Sequence, residues 1–232
     1  WATYRTSAGA MFWAGVTSGV VGAFSSDLSY VTGSPISSLV GYSAASHLEV
    51  TDSSTGNVSV AAGTTNLSTL TMGDHCFDRV VDLAGQTLRL GSTDSTSVGG
   101  VLLASDAKSL TIGVVGSAGV LTSGGPNNNT AGQLYLTNGS NSSTLTVNSV
   151  IANNGTGAVS LFINGNAGSK VALAGTNTYT GGTTIASGAV EMKSAGAFGT
   201  TGTVTLMEGA AIQLGGGIAV ARTLTAAGHG VA

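Results

Sequence analysis

Side chains able to do chemistry are scarce in this sequence, and they gather most densely in one run, Gly73-Asp74-His75-Cys76-Phe77-Asp78-Arg79. A carboxylate, an imidazole and a thiol so close together could hold a metal ion or activate a nucleophile. Adjacent residues of an extended chain point to opposite sides, however, so His75 and Cys76 would not ligate one ion together. A turn between Met72 and Val80, with Cys76 packed as a small hydrophobe, accounts for the run more simply. The second candidate chemistry is polysaccharide cleavage, in which an arginine base works beside calcium-holding carboxylates on one face. Arg79, Arg89, Asp78, Asp82, Asp94 and Asp106 are the only dense supply of such groups. Asp78 and Asp82 share strand parity but straddle Val80, an apolar residue expected to face inward, and nothing sets three carboxylates in register. The sequence therefore predicts no catalytic residue, no metal ligand set and no cofactor.

Two further groups of residues invite a binding role. Asn57, Asn66, Asn128, Asn138, Asn141 and Asn154 each begin an N-x-S/T sequon, a pattern that arises by chance in a chain this rich in Ser and Thr. Of the twelve aromatic residues, Trp1, Tyr4, Phe12, Trp13, Phe24, Tyr30 and Tyr42 fall in the first 42 positions. They could stack on sugars or dock a neighbouring subunit, with Trp1, Tyr4, Phe12 and Trp13 the leading docking residues. Equally, they could plug the end of a repetitive fold, where a cap must cover apolar side chains.

The elements that would carry these residues are short strands. A phrase of alternating hydroxyl and apolar residues recurs at Thr69–Met72, Thr87–Leu90, Ser109–Ile112, Thr144–Val147 and Thr203–Leu206. Each reads as a period-2 strand with one buried face. Further strands are expected at Val80–Leu83, Val101–Leu103, Gln133–Leu136, Val159–Ile163, Lys170–Ala174, Ala189–Met192 and Ala211–Leu214, with Gly-Gly or Asn-Gly corners between them. No segment of ten or more residues has the 3.6-residue periodicity of a helix. Strands of about four residues are too short for a membrane barrel, which needs roughly ten. They also suit a varied sandwich core poorly. Very short strands, glycine corners and a recurring phrase predict a solenoid of roughly 20 to 25 residues per turn, about nine to eleven turns in all.

Bulk composition agrees and excludes other classes. Charged residues are 7% of the chain, yet 42% are hydrophobic and the net charge is −3, so collapse is favoured over disorder. Seven basic residues cannot neutralise a phosphate backbone, which excludes nucleic acid as a partner. One cysteine provides no intrachain disulfide framework. The apolar run Ala8 to Phe24 after Arg5 is interrupted by Gly, Thr and Ser. It reads as strands of an N-terminal cap rather than as a signal sequence or a transmembrane helix.

A more specific pattern lies at Gly175 to Gly199, GTNTYTGGTTIASGAVEMKSAGAFG. Through Asn177, Tyr179, Thr180, Gly181, Gly182, Thr183, Thr184, Ile185 and Gly188 it resembles the autotransporter-associated β-strand repeat, also called the passenger-associated transport repeat. Ser149 to Gly175 and Gly202 to Val231 look like neighbouring stretches of that repeat, and the likeness thins toward Leu67. Phe162 to Ala167 and the Met207-Glu208 corner depart from the family's usual turns. The resemblance implies a large secreted passenger of Gram-negative or related bacteria, folded as a right-handed parallel β-helix, with no catalytic residues in the repeats themselves.

The resulting expectation is an all-β, right-handed parallel β-helix (β-solenoid). Residues 1–45 would be an aromatic-rich cap or subunit joint, and residues 46–232 repeats that continue beyond an unfinished rung at Ala232. Its expected role is that of a non-enzymatic structural protein, extracellular or at the outer membrane-associated bacterial cell surface, pairing with neighbouring repeats or with itself end to end into fibres. The alternatives are an adhesin or glycan-binding passenger contacting glycans or a host surface, and, third, a polysaccharide-degrading β-helix enzyme.

Overall fold

Glycine corners and alternating Thr/Leu phrases translate into strands throughout the computed structural model, which describes residues 37–44, 46–50, 56–73, 77–92 and 97–227. Before these, it describes the backbone of four strands, Thr3–Arg5, Met11–Thr17, Val20–Ala23 and Leu28–Val31. No helix occurs among the described residues, so none is long and apolar enough to cross a membrane. The first three strands form a small antiparallel sheet. From Leu28 onward every strand pairing among the described residues is parallel.

Those strands make three parallel sheets, of nine, seven and four strands, each stacked in chain order. The chain visits them in a fixed rotation. His47–Val50 joins the nine-stranded sheet, Gly56–Ser59 the seven-stranded and Thr64–Leu67 the four-stranded. Thr69–Met72, Arg79–Asp82 and Thr87–Leu90 then repeat the sequence. Parallel strands cannot be joined by a tight hairpin and need such excursions. After Leu173 the rotation continues through the nine- and seven-stranded sheets only, and irregular segments take the third position.

Register aligns like with like on the inner faces. In the nine-stranded sheet Leu48, Leu70, Val101, Leu136, Ile163 and Ile185 stand in one file. Leu110, Leu145, Val171 and Val190 do so in the seven-stranded sheet. Leu88, Leu121 and Ile151 form the file of the four-stranded sheet. All belong to one buried apolar cluster. Each such side chain contributes roughly 1.5–3 kcal/mol relative to exposure, and a one-residue slip would turn the whole file outward.

Two expectations need correction. The turns are not uniformly 20 to 25 residues long: contacts between neighbouring turns span 22 residues early and 31, 35 and 27 in the middle. They return to 22 and 21 later. The middle turns carry long loops at the corner leading from the four-stranded sheet back to the nine-stranded one (residues 124–131 and 152–158). The second correction is at Val80, which does not face inward. The strand is Arg79–Asp82, and Val81 takes the inner file between Val58 and Ile112. Arg79 shares that parity and pairs with Gly56 and Leu110.

Candidate functional site

Alternation along the strands decides where each chemistry-bearing side chain ends up. Asp74, His75, Cys76 and Asp94 lie outside the described residues, as does Trp1. Arg79, on the inward parity of the seven-stranded sheet, is only 2% exposed. Arg89 is on the four-stranded sheet and 8% exposed. The two arginines therefore sit on different walls, each withdrawn from solvent. Asp78 Oδ1 accepts the Ser109 backbone N–H at 2.9 Å, and Asp82 Oδ1 accepts that of Ala84 at 2.9 Å. Both carboxylates are thus engaged in turns, while Asp106 stands exposed in another turn. Among the described residues, Arg79 and Arg89 lie on different sheets, and no group of three metal-ligating side chains forms.

Arg89 holds a corner closed. Its side chain projects outward from Thr87–Leu90, where Nη1 donates to the Pro126 carbonyl at 2.8 Å and Nη2 to Asn128 Oδ1. Burial holds this guanidinium below its ordinary pKa, although an arginine stays protonated. The loop it grips is also tied onward. Asn154 Nδ2 donates to the carbonyls of Asn127 and Thr130 at 2.7 and 3.1 Å. Asn129 Oδ1 accepts the Thr156 N–H at 2.9 Å. Loops 124–131 and 152–158 are thereby stacked, turn upon turn.

The residues of the Asn177 to Gly188 motif join successive turns. Asn177 is 2% exposed. Its Oδ1 accepts the Ile151 N–H of the preceding turn at 2.8 Å, and its Nδ2 donates to the Ala197 carbonyl of the following turn at 2.6 Å. Thr178 and Tyr179 both donate backbone N–H groups to the Ile151 carbonyl. The edge of the four-stranded sheet at Val150–Ile151 is therefore sealed by a side-chain amide and two backbone donors instead of another strand. Tyr179 is fully buried, with its hydroxyl 2.5 Å from Thr183 Oγ1. Burial, the dominant influence, raises its pKa well above 10, against the opposing effects of the Thr183 hydrogen bond and the Arg222 charge. Thr180 exchanges bonds with Asn153, and Thr184 and Ile185 pair with Phe162 and Ile163. A Cβ at Gly181 would come within 2.4 Å of the Val159 carbonyl oxygen, and Gly188 has φ +78°. Gly182 lies more openly, 3.3 Å from the Thr203 carbonyl by the same measure.

The sequons divide by burial. Asn138 and Asn154 are buried and spend their amides on corner carbonyls, Asn138 donating to those of Ser143 and Lys170. Asn128 is held by Arg89, and Asn66 is half-buried. Asn57 and Asn141 are exposed. Among the docking aromatics, Tyr4 and Phe12 are direct cross-strand partners, and Trp13 faces Thr3 in the same antiparallel register. Sequence reasoning did not single out Tyr135 and Phe162, which stack at 4.8 Å on the outer face of the nine-stranded sheet. Nor did it single out a cleft of about 340 Å³ between the segment Leu39–Ala44 and the strand Thr64–Leu67, with Pro126 at its rim. A Tyr-Ser pair at 42–43 facing a Thr-Thr-Asn edge at 64–66 was the only signal for it in the sequence. Compared with protein-family models, with curated proteins and with solved structures, the chain matches none.

Proposed function

We propose that this chain is a non-enzymatic structural protein, extracellular or at the bacterial cell surface, built as a right-handed parallel β-helix of the passenger type. The observation that carries the reading is the fate of its polar side chains. Asn177, Asn154, Asn138, Asp78 and Arg89 each hydrogen-bond to the backbone or side chains of neighbouring turns. Catalytic groups must instead be held ready for a substrate. The rotation of the chain through three stacked sheets supports the helical winding, as does the Asn177 to Ile185 pattern.

Self-association end to end is part of the proposal. The parallel sheets are stacked in chain order, and a stack of this kind ends in strand edges. Unpaired strand edges bearing large apolar side chains pair readily with another chain. Negative-stain electron microscopy of purified protein over a concentration series tests this. Rods longer than one chain, lengthening with concentration, are expected; isolated short monomers at every concentration would count against assembly. Antibody labelling of intact producing cells tests the location, with signal expected before permeabilisation.

A further inference from the structure

The cleft beside Thr64–Leu67 opens where the third wall begins. Among the described residues that strand ends the four-stranded sheet and pairs on one side only, with Thr87–Leu90. Thr87 N–H donates to the Gly63 carbonyl and Gly91 N–H to the Leu67 carbonyl. Alternate peptide groups of a parallel strand face opposite neighbours, so those of Thr64 and Asn66 face away from the sheet, toward the cleft that these residues line. Asn66 Oδ1 has no hydrogen-bond partner and no solvent-exposed surface, so a donor entering the cleft would satisfy it after a small turn of the amide.

The remaining lining narrows the ligand chemistry. Among the described residues no charged side chain lines the cleft, and the Nη groups of Arg89 nearby are engaged by Pro126 and Asn128, so an ionic ligand would meet no counter-charge in this lining. Carboxylates and phosphates offer only acceptors, which Asn66 Oδ1 would repel, whereas hydroxyl groups would satisfy it. Leu39, Val40 and Pro126 supply apolar surface, and half-buried Tyr42 supplies an aromatic ring. An apolar cleft of about 340 Å³ with a few convergent polar groups is at the small end of ligand sites. We propose that it binds a neutral saccharide, with Asn66 and the free edge of Thr64–Asn66 meeting the hydroxyls and Tyr42 covering the apolar face of the ring. This site is independent of the scaffold role, which would survive its failure.

Saturation-transfer NMR of the full chain tests it with cellobiose, maltose, lactose and chitobiose in turn. The comparison ligand is the uncharged peptide acetyl-Thr-Val-Thr-Val-amide, which could add as a strand to the same edge. Transfer to at least one disaccharide is expected. Asn66→Ala should weaken binding about tenfold, the loss of one well-placed hydrogen bond. Tyr42→Ala should weaken it at least as much, and Tyr135→Ala on the distant sheet should leave it unchanged. Tyr42 also packs against the core, so if Tyr42→Ala unfolds, Asn66→Ala decides, with Tyr42→Phe expected to keep most of the binding. No transfer to any disaccharide, binding unmoved by Asn66→Ala, or transfer to the peptide alone would each overturn the proposal.

Discussion

Replacing Asn177 by alanine removes one side chain from two turn-to-turn contacts at once. The Ile151 N–H loses its acceptor at 2.8 Å and the Ala197 carbonyl its donor at 2.6 Å, and both residues are fully buried. An orphaned buried peptide group costs about 1–3 kcal/mol. Two of them set an expected loss of about 2–6 kcal/mol, tempered if water enters the space left by the amide. Urea unfolding followed by circular dichroism would measure the loss. Hydrogen exchange would localise it, because the Ile151 amide should exchange at least tenfold faster while amides of the early turns keep their protection. Asn177→Asp makes the comparison sharper. It keeps an acceptor for Ile151 but turns a carboxylate oxygen toward the Ala197 carbonyl, so it should be no milder than alanine. Asn141→Ala, at an exposed turn position, should change stability by less than about 0.5 kcal/mol. If Asn177→Ala were as mild as Asn141→Ala, or left Ile151 protected, the stitching argument would be wrong.

Other perturbations separate packing from polar bonding. Tyr179→Phe should cost about 1 kcal/mol at neutral pH by deleting the hydroxyl that meets Thr183. The Tyr179 pKa is raised in the fold, so its contribution is complete below the unfolded value of about 10 and is lost as pH rises from there through the folded value. Unfolding curves between pH 8 and 11 should therefore show a shallower alkaline decline in Tyr179→Phe than in the parent. Gly181→Ala should be severe, at about 2 kcal/mol or more, because the new methyl would lie within 2.4 Å of the Val159 carbonyl oxygen. Gly168→Ala, strained at φ +86° but with open space around it, should cost only about 1 kcal/mol in the same thermal melt. Arg89→Met should release Pro126 and Asn128, and limited proteolysis should then cut between residues 124 and 131 while the remaining turns stay resistant. An uncut loop would mean that the asparagine bonds suffice to hold it.

Strands with a clean two-residue alternation were legible from sequence alone. Thr69–Met72, Thr87–Leu90 and Thr144–Val147 form with the expected limits, because each offers two apolar side chains to one face and polar ones to the other. His47–Val50, Thr64–Leu67, Val120–Ser123 and Val150–Ile151 were not legible. His47 and Glu49 are buried on the outer side of their strand, and Thr65 and Ser123 occupy inner positions, so their polarity argues against the faces they occupy. Arg79 misled for the same reason: an arginine reads as outward, but the register that places Val81 inside carries Arg79 with it. Asn177 stood out only through the family pattern. In a chain crowded with asparagines, nothing local marks the one whose amide bridges two turns, since its partners are 26 residues before it and 20 after it.

The long loops 124–131 and 152–158 of the middle turns leave from one corner, and Arg89, Asn129 and Asn154 fasten them there. That arrangement separates two kinds of variation. Along the walls, length is fixed by strand register, and adding one residue would invert a face. At this corner, length is free, and the middle turns already exceed the later ones by about ten residues. The corner is thus the natural place to graft foreign sequence. An epitope inserted between Asn128 and Thr130 would be carried outward at a defined height on the stack, and a second, placed in loop 152–158, would sit one strand spacing away, about 4.8 Å along it.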